Sequence, residues 1–303
     1  MSESTSRVQV ADRQAGSISI QHVSMHCGIP AVTLRAWERR YGLLTPARTD
    51  KGHRRYSEVD IARIEQIQHW LERGVPISQV AGLLADSAAA NGAVWEQGAE
   101  QQGPWRGAVT DAICALESLN TRRLEQLLNG LLNDYSHALV LDHFCDPVRA
   151  RLADTSALGG WLTLFDGVLQ AKWSSRALSL APRGGEAGWL LVPVGRALPA
   201  LELAMVLNRP LWCLGAPLVT VELRSVLKSL AQRAGGVLWV VDRWPTAAQR
   251  QQIGIASGCG LSEVCWGLDL SQMTLPQEVA QLGGRRQGLA SELDRLQQSW
   301  STP

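Results

Sequence analysis

The stretch from Ile18 to Ala85 admits few folds. Ile20, Val23 and Cys27 recur at i, i+3 and i+7, one face of a short helix, and Ser19 ahead of them is an N-cap residue. Gly28 permits the left-handed conformation that ends such a helix. Pro30 suits the first turn of the next, where its missing N–H would have had no partner. That second helix extends to about Arg40, and two short helices around a tight turn make a helix-turn-helix. Asp50-Lys51-Gly52 is a turn signal between two short extended runs, so Thr45 to Tyr56 reads as a β-hairpin wing. Ser57-Glu58-Val59-Asp60 is a capping-box start, and Ile61, Ile64, Ile67 and Leu71 give the apolar stripe of a further helix that stops at Gly74. Pro76-Ile77-Ser78 opens one more helix, with Val80, Leu83 and Leu84 inward; Leu34, Ile61 and Ile64 are read as core.

Charge singles out the same stretch. Between Arg35 and Arg55 lie seven cations and two anions, a local charge of +5 in a chain whose total is +1. Charged helix faces are often merely solvated, but a charge concentrated over a helix-turn-helix and wing is the footprint expected for DNA phosphate. Arg35, Trp37 and Arg39 read as the exposed side of the second helix, able to reach base edges or phosphates. Lys51, His53, Arg54 and Arg55 in the wing, and Arg48 at its entry, read as phosphate contacts, which position a protein without reading sequence. Thr33, Arg40 and Tyr56 complete the candidate DNA-binding set, with Tyr56 balanced between packing and a phosphate bond.

The pattern Thr33-Leu34-Arg35-x-Trp37-Glu38-Arg39-Arg40-Tyr41-Gly42-Leu43-Leu44-x-Pro46-x-Arg48, followed by Gly52-His53-Arg54-x-Tyr56 and Asp60-Ile61, resembles the winged-helix DNA-binding domain of MerR-type transcription regulators. Trp37, and Tyr41-Gly42 after Arg40, resemble the branch that holds MlrA-type regulators and the cobalamin-dependent light sensors of the CarA/LitR kind. Members of that family bind pseudo-palindromic promoter sites as dimers and distort the spacer DNA to change polymerase access. The resemblance therefore implies double-stranded promoter DNA, RNA polymerase and a second copy of the chain as partners, without fixing activation or repression. No heptad run follows Ala85, so self-association is expected through the later part of the chain.

A chain of 303 residues suggests two or three domains. Residues 1–17 are polar, lack the apolar core of a signal peptide and read as a disordered arm; residues 18–86 are the winged helix-turn-helix domain, and residues 87–107, rich in Ala, Gly, Gln and Glu, read as a linker holding Trp95 and Trp105. Residues 108–181 keep a helical period, with helices over Ala108–Leu119, from Asn120-Thr121, over Ser136–Leu152 with a kink at Pro147, and over Thr155–Ser179, and read as a four-helix bundle. After Pro182-Arg183-Gly184-Gly185 the period turns to that of strands. Short apolar runs at Trp189–Val194, Pro210–Leu214, Gly236–Val241 and Ser262–Gly267 alternate with helical stretches, and a last helix is expected over Pro276–Trp300. Residues 186–303 thus read as a doubly wound flavodoxin- or Rossmann-like α/β sandwich. No run of 18 apolar residues exists to span a membrane, and six cysteines without a CxxC pair read as buried free thiols of a cytoplasmic protein.

The order of winged domain, helical bundle and α/β sandwich resembles cobalamin-sensing MerR-type regulators, but the residues argue against the cofactor. Cobalamin modules place a histidine in the loop after their first strand; matching at Gly195 puts Leu198 there, which has no lone pair for a metal. The relatives' Trp and Glu-His over the upper face fall on Ser156 and Asp166-Gly167. The expectation is a sensory, dimerisation or protein-docking module without cofactor, open to a regulatory protein or a small ligand of another kind. Metal sensing finds weak footing, since Cys114 stands alone and His137 and His143 are six residues apart. An enzyme finds less: there is no GxGxxG after a strand, no P-loop and no spaced catalytic set. Most of the twelve tryptophans fall in elements read as helix or strand, which favours core filling over a ligand cage.

Overall fold

A computed structural model describes residues 18–86, 104–154, 159–231, 233–267, 270, 273, 275–283, 286 and 289–301. The expected arm at 1–17, residues 87–103 of the expected linker, with Trp95, and Ser156 lie outside these residues. The chain divides into two compact units, residues 1–162 and 163–303.

The first unit opens with β1 (Ile18–Ser19), α1 (Ile20–Cys27) and α2 (Ala31–Tyr41). The Ser19 side chain accepts the His22 N–H at 3.3 Å, the N-cap bond its position predicts. Gly42, at φ 63°, ends α2 in the left-handed region where a side chain would be strained. Strands β2 (Ala47–Arg48) and β3 (Arg54–Tyr56) form the wing, and β1 adds to β3 antiparallel, pairing Ile18 with Tyr56. Then come α3 (Glu58–Glu72), started by the Ser57/Asp60 capping box, and α4 (Ile77–Asp86). Val23, Ile29, Leu34, Ile64, Ile67 and Leu71 close a common core.

Four further segments follow: α5 (Pro104–Glu117), α6 (Thr121–Asp134), a short α7 (His137–Val140) and α8 (Asp146–Ala153). Helix α5 starts at Pro104, within the expected linker, because Trp105 is buried against Tyr135 and His143, at centroid distances of 4.5 and 5.5 Å. The expected kink at Pro147 takes another form. Residues Leu141–Cys145 form a π turn, closed by Asp146 N–H to Leu141 C=O, and Pro147 falls in the first turn of α8. The wider turn moves the hydrogen-bond ladder past the residue that cannot donate. Helix α9 (Gly159–Leu178), expected as the fourth bundle helix, spans the division between the two units.

The second unit is a parallel sheet in the order β5-β4-β6-β7-β8, built from β4 (Gly188–Pro193), β5 (Leu211–Cys213), β6 (Ala234–Val241), β7 (Glu263–Gly267) and β8 (Val279–Gly283). Helices α10 (Ala197–Leu207), α11 (Thr220–Leu230), α12 (Ala247–Gln252) and α13 (Leu289–Ser301) connect and close it. The single helix expected over Pro276–Trp300 is corrected: Val279–Gly283 is an edge strand, and among the described residues of this stretch the helix is Leu289–Ser301. Val-Ala-Gln-Leu-Gly suits either period, and parallel pairing with β7 decides it.

Two devices stabilise this unit. Trp189, Trp239 and Trp266 are buried with Leu190, Val237 and Cys265, which makes tryptophan a core residue here. The wholly buried Glu263 carboxylate accepts Trp239 Nε1–H at 2.7 Å, Gly254 N–H and Ser257 Oγ–H at 2.8 Å each, and Ser257 N–H. A buried charge persists only when hydrogen-bonded in this way, and the three donors of Gly254 and Ser257 bind the loop before β7 to the sheet.

Candidate nucleic-acid interface

Helix α2 has two faces. Arg35 and Arg39 are exposed, one turn apart on the side away from the core. Thr33 and Trp37, four residues apart on the other side, have no exposed surface. Thr33 Oγ1 donates to Leu132 C=O at 3.1 Å, and Trp37 Nε1 donates to Asp134 C=O at 2.8 Å. These carbonyls belong to the last turn of α6, which has no intrahelical donors for them. Arg40 Nη1 meets the Asp134 carboxylate at 2.6 Å, a cation at the negative end of the same helix. The Tyr41 hydroxyl, also bonded to Asp134, is pushed above its usual range by burial and then by that carboxylate.

The expectation that Thr33 and Trp37 reach DNA is therefore corrected: both are packing residues that satisfy the end of α6. Tyr56 is likewise buried, with its hydroxyl making no hydrogen bond among the described residues and its pKa raised to about 12, chiefly by burial. Arg40 is exposed but committed to Asp134.

The wing is tied to the exposed side of α2 by Glu38, whose carboxylate accepts Arg48 Nη2–H at 2.7 Å and Arg54 Nε–H, one from each wing strand. The hairpin turn is closed by Gly52 N–H to Thr49 C=O at 2.7 Å. Exposed Lys51 and His53 stand at its tip, and half-buried Arg55 follows on β3. Ser19, Ile20 and Gln21 at the start of α1, Arg35 of α2, and Gly52, His53, Arg54 and Arg55 of the wing line one cleft of about 270 Å³. Helix N-terminal amides and guanidinium groups around a cleft form a site for an anionic oxygen. The α1 terminus and the Glu38 clamp were missing from the residue pattern read as DNA-binding; an acid set among arginines was the available sign of the clamp.

Partial burial works to raise the Glu38 carboxyl, but the Arg54 and Arg48 hydrogen bonds outweigh it and hold the group below its ordinary value of 4.5. A depressed carboxyl contributes stability that is present above the unfolded-state pKa and lost as pH falls through the folded-state value. Melting temperature is therefore expected to fall more steeply below about pH 4.5 in the parent than in Glu38→Gln, as thermal melts from about pH 7 to 3.5 would show. Equal slopes would remove the clamp from the account.

In the second unit, the crevice at the carboxyl ends of β4 and β6, where doubly wound folds hold ligands, is filled by Asp242. A Cβ on Gly195 would lie 1.8 Å from Asp242 Oδ1, so only glycine allows this approach. Asp242 accepts Arg196 N–H at 3.1 Å and Arg196 Nε–H at 2.9 Å. Leu198 is buried in α10. Among the described residues, no three His, Cys, Asp or Glu side chains are placed to share a metal ion, and no helix is long and apolar enough to cross a membrane.

Residues 18–87 match the family model of the MerR HTH family regulatory protein. The HTH-type transcriptional regulator MlrA of Escherichia coli (strain K12) is 36% identical over 152 residues, covering 50% of this chain and 58% of MlrA. The HTH-type transcriptional repressor CarH of Myxococcus xanthus is 36% identical over 112 residues, covering 37% of this chain and 31% of CarH. The HTH-type transcriptional activator TipA of Streptomyces coelicolor is 42% identical over 74 residues, covering 24% and 29%. The chain thus spans at most 58% of the length of these relatives.

Proposed function

We propose, from the premise that residues 18–87 form a MerR-type helix-turn-helix domain, that this chain is a sequence-specific DNA-binding transcription regulator. The observation that carries the reading is the basic cleft shared by Arg35, the wing and the amino end of α1. Arg35 and Arg39 lie in the major groove. Lys51, His53 and Arg55 hold phosphates, and Arg48 and Arg54 do so while clamped to Glu38. The protein acts in the cytoplasm as a homodimer at promoters, on RNA polymerase. The relatives' names include both a repressor and an activator, so the direction of regulation is left to experiment.

The later helices, read as a four-helix bundle, and the α/β unit serve as the sensory, self-association or protein-docking part. Val219, Val221 and Trp244, all exposed at the carboxyl-end rim of the sheet, support an interaction role for that rim. Cobalamin does not fit there. Leu198 offers no ligand atom, and the Asp242 carboxylate fills the space above Gly195. The relatives are named as transcriptional regulators, which supports a regulator over an enzyme.

The test is a mobility-shift series on a selected duplex across salt concentrations. With roughly four phosphates held per subunit, log K is expected to fall against log salt with a slope of about −3.5 per subunit, about −7 for a dimer. Arg35→Ala is expected to cost about tenfold or more in specific affinity, the scale of one base contact. A salt-independent affinity would sink the electrostatic assignment.

A further inference from the structure

The exposed stripe of α2 is not wholly basic. Val32, in the first turn, is 52% exposed and shares its face with Arg35 and Arg39 at i, i+3 and i+7. Its neighbours Thr33, Leu34, Ala36 and Trp37 are all buried, so the core packs without it. Valine is a poor choice for an exposed helical site, where Ala, Glu, Lys or Gln are better helix formers. Single exposed apolar residues are ordinary on protein surfaces; the position of this one is what matters. It occupies the amino-terminal turn of the second helix of a helix-turn-helix, the part that meets base edges.

We propose that Val32 is a specificity-determining residue that packs its methyl groups on the C5-methyl of a thymine in the major groove. This rests on reading the basic face as a DNA surface. The thymine methyl is the one apolar feature among the major-groove edges of the four bases, and small apolar side chains are its complement. A β-branched side chain has essentially one χ1 rotamer in a helix, so Val32 is held ready with little rotamer freedom to lose. Along the helix axis Val32 and Arg35 are about 4.5 Å apart, close to one base-pair step of about 3.4 Å. The thymine is therefore expected within one or two base pairs of the pair addressed by Arg35, once in each half-site.

The experiment selects duplexes from a random pool with the full chain. Each thymine of the selected site is then replaced in turn by deoxyuridine, which removes the methyl and leaves the hydrogen-bonding edge intact. Affinities are measured for the parent and for Val32→Ala. At one thymine per half-site, deoxyuridine is expected to weaken the parent about fourfold, in keeping with one buried methyl-sized group. Val32→Ala is expected to lose a similar factor and to be indifferent to deoxyuridine at that position alone. Its salt slope should match the parent, and its thermal unfolding should be equal or slightly higher, because alanine is the better helix former at an exposed position. If Val32→Ala discriminates thymine from deoxyuridine as the parent does, the proposal is overturned while DNA binding stands. If the pool yields no enriched sequence at all, the DNA reading and the proposal fall together.

Discussion

Trp37→Ala is expected to cost the unit spanning residues 1–162 about 3–5 kcal/mol of stability, the range for truncating a fully buried aromatic side chain. The loss has two sources: the cavity left in the core, and the Asp134 carbonyl deprived of its indole donor. At about 2–4 °C per kcal/mol for a unit of this size, the melting temperature should fall by roughly 10 °C. Trp37→Phe keeps most of the ring volume and loses the N–H, so it should cost about 1–2 kcal/mol. Urea unfolding of the three proteins reads both numbers. The folded Trp37→Phe variant should still bind DNA with the parent's salt slope, since this face of α2 turns away from Arg35 and Arg39. A stable Trp37→Phe variant that has lost specific binding would return Trp37 to the DNA surface and refute its assignment to packing.

Glu263→Gln is expected to destabilise the unit spanning residues 163–303 by about 2–3 kcal/mol, despite its near-identical shape. Every group around the carboxylate is a donor: an indole N–H, two backbone N–H groups and a hydroxyl. A glutamine presents one oxygen and turns an NH2 group against donors on the other side, so at least one buried N–H is left unpaired. Hydrogen exchange should accelerate at Gly254 and Ser257 first, because the carboxylate holds those amides directly. Denaturation within about 1 kcal/mol of the parent would show that the carboxylate is dispensable.

The winged part was legible because its signals are local. Caps at Ser19 and Ser57, the glycine after Cys27 and the Asp50-Lys51-Gly52 turn each act within a few residues, and each is used as its position predicts. The orientation of Thr33 and Trp37 was not legible, because their acceptors are 99 and 97 residues away along the chain. A tryptophan between two arginines looks like a surface residue until α6 is known to end beside it. Strand β8 was missed because its sequence fits two periods and pairing with β7 settles the matter. At the interface, charge drew attention to Arg35 and Arg39 but passed over Val32, which has none, and over the amino end of α1, whose start Ser19 marks but whose place beside the wing no local signal gives.

The hydrogen bonds from Thr33 and Trp37 to α6 also bear on how such proteins exchange parts. Both bonds end on backbone carbonyls, so they do not constrain the side chain at residue 132, and residue 134 needs to be acidic for Arg40 and Tyr41 rather than for these two bonds. What must be kept is a helix that ends at this spot. A winged domain transplanted with a junction at Asp86 would expose a tryptophan and leave two hydroxyl or indole donors facing water or a foreign surface. A junction placed after Tyr135 would carry the helix end along with the residues that need it, and that is where recombination between relatives, natural or engineered, should leave a working protein.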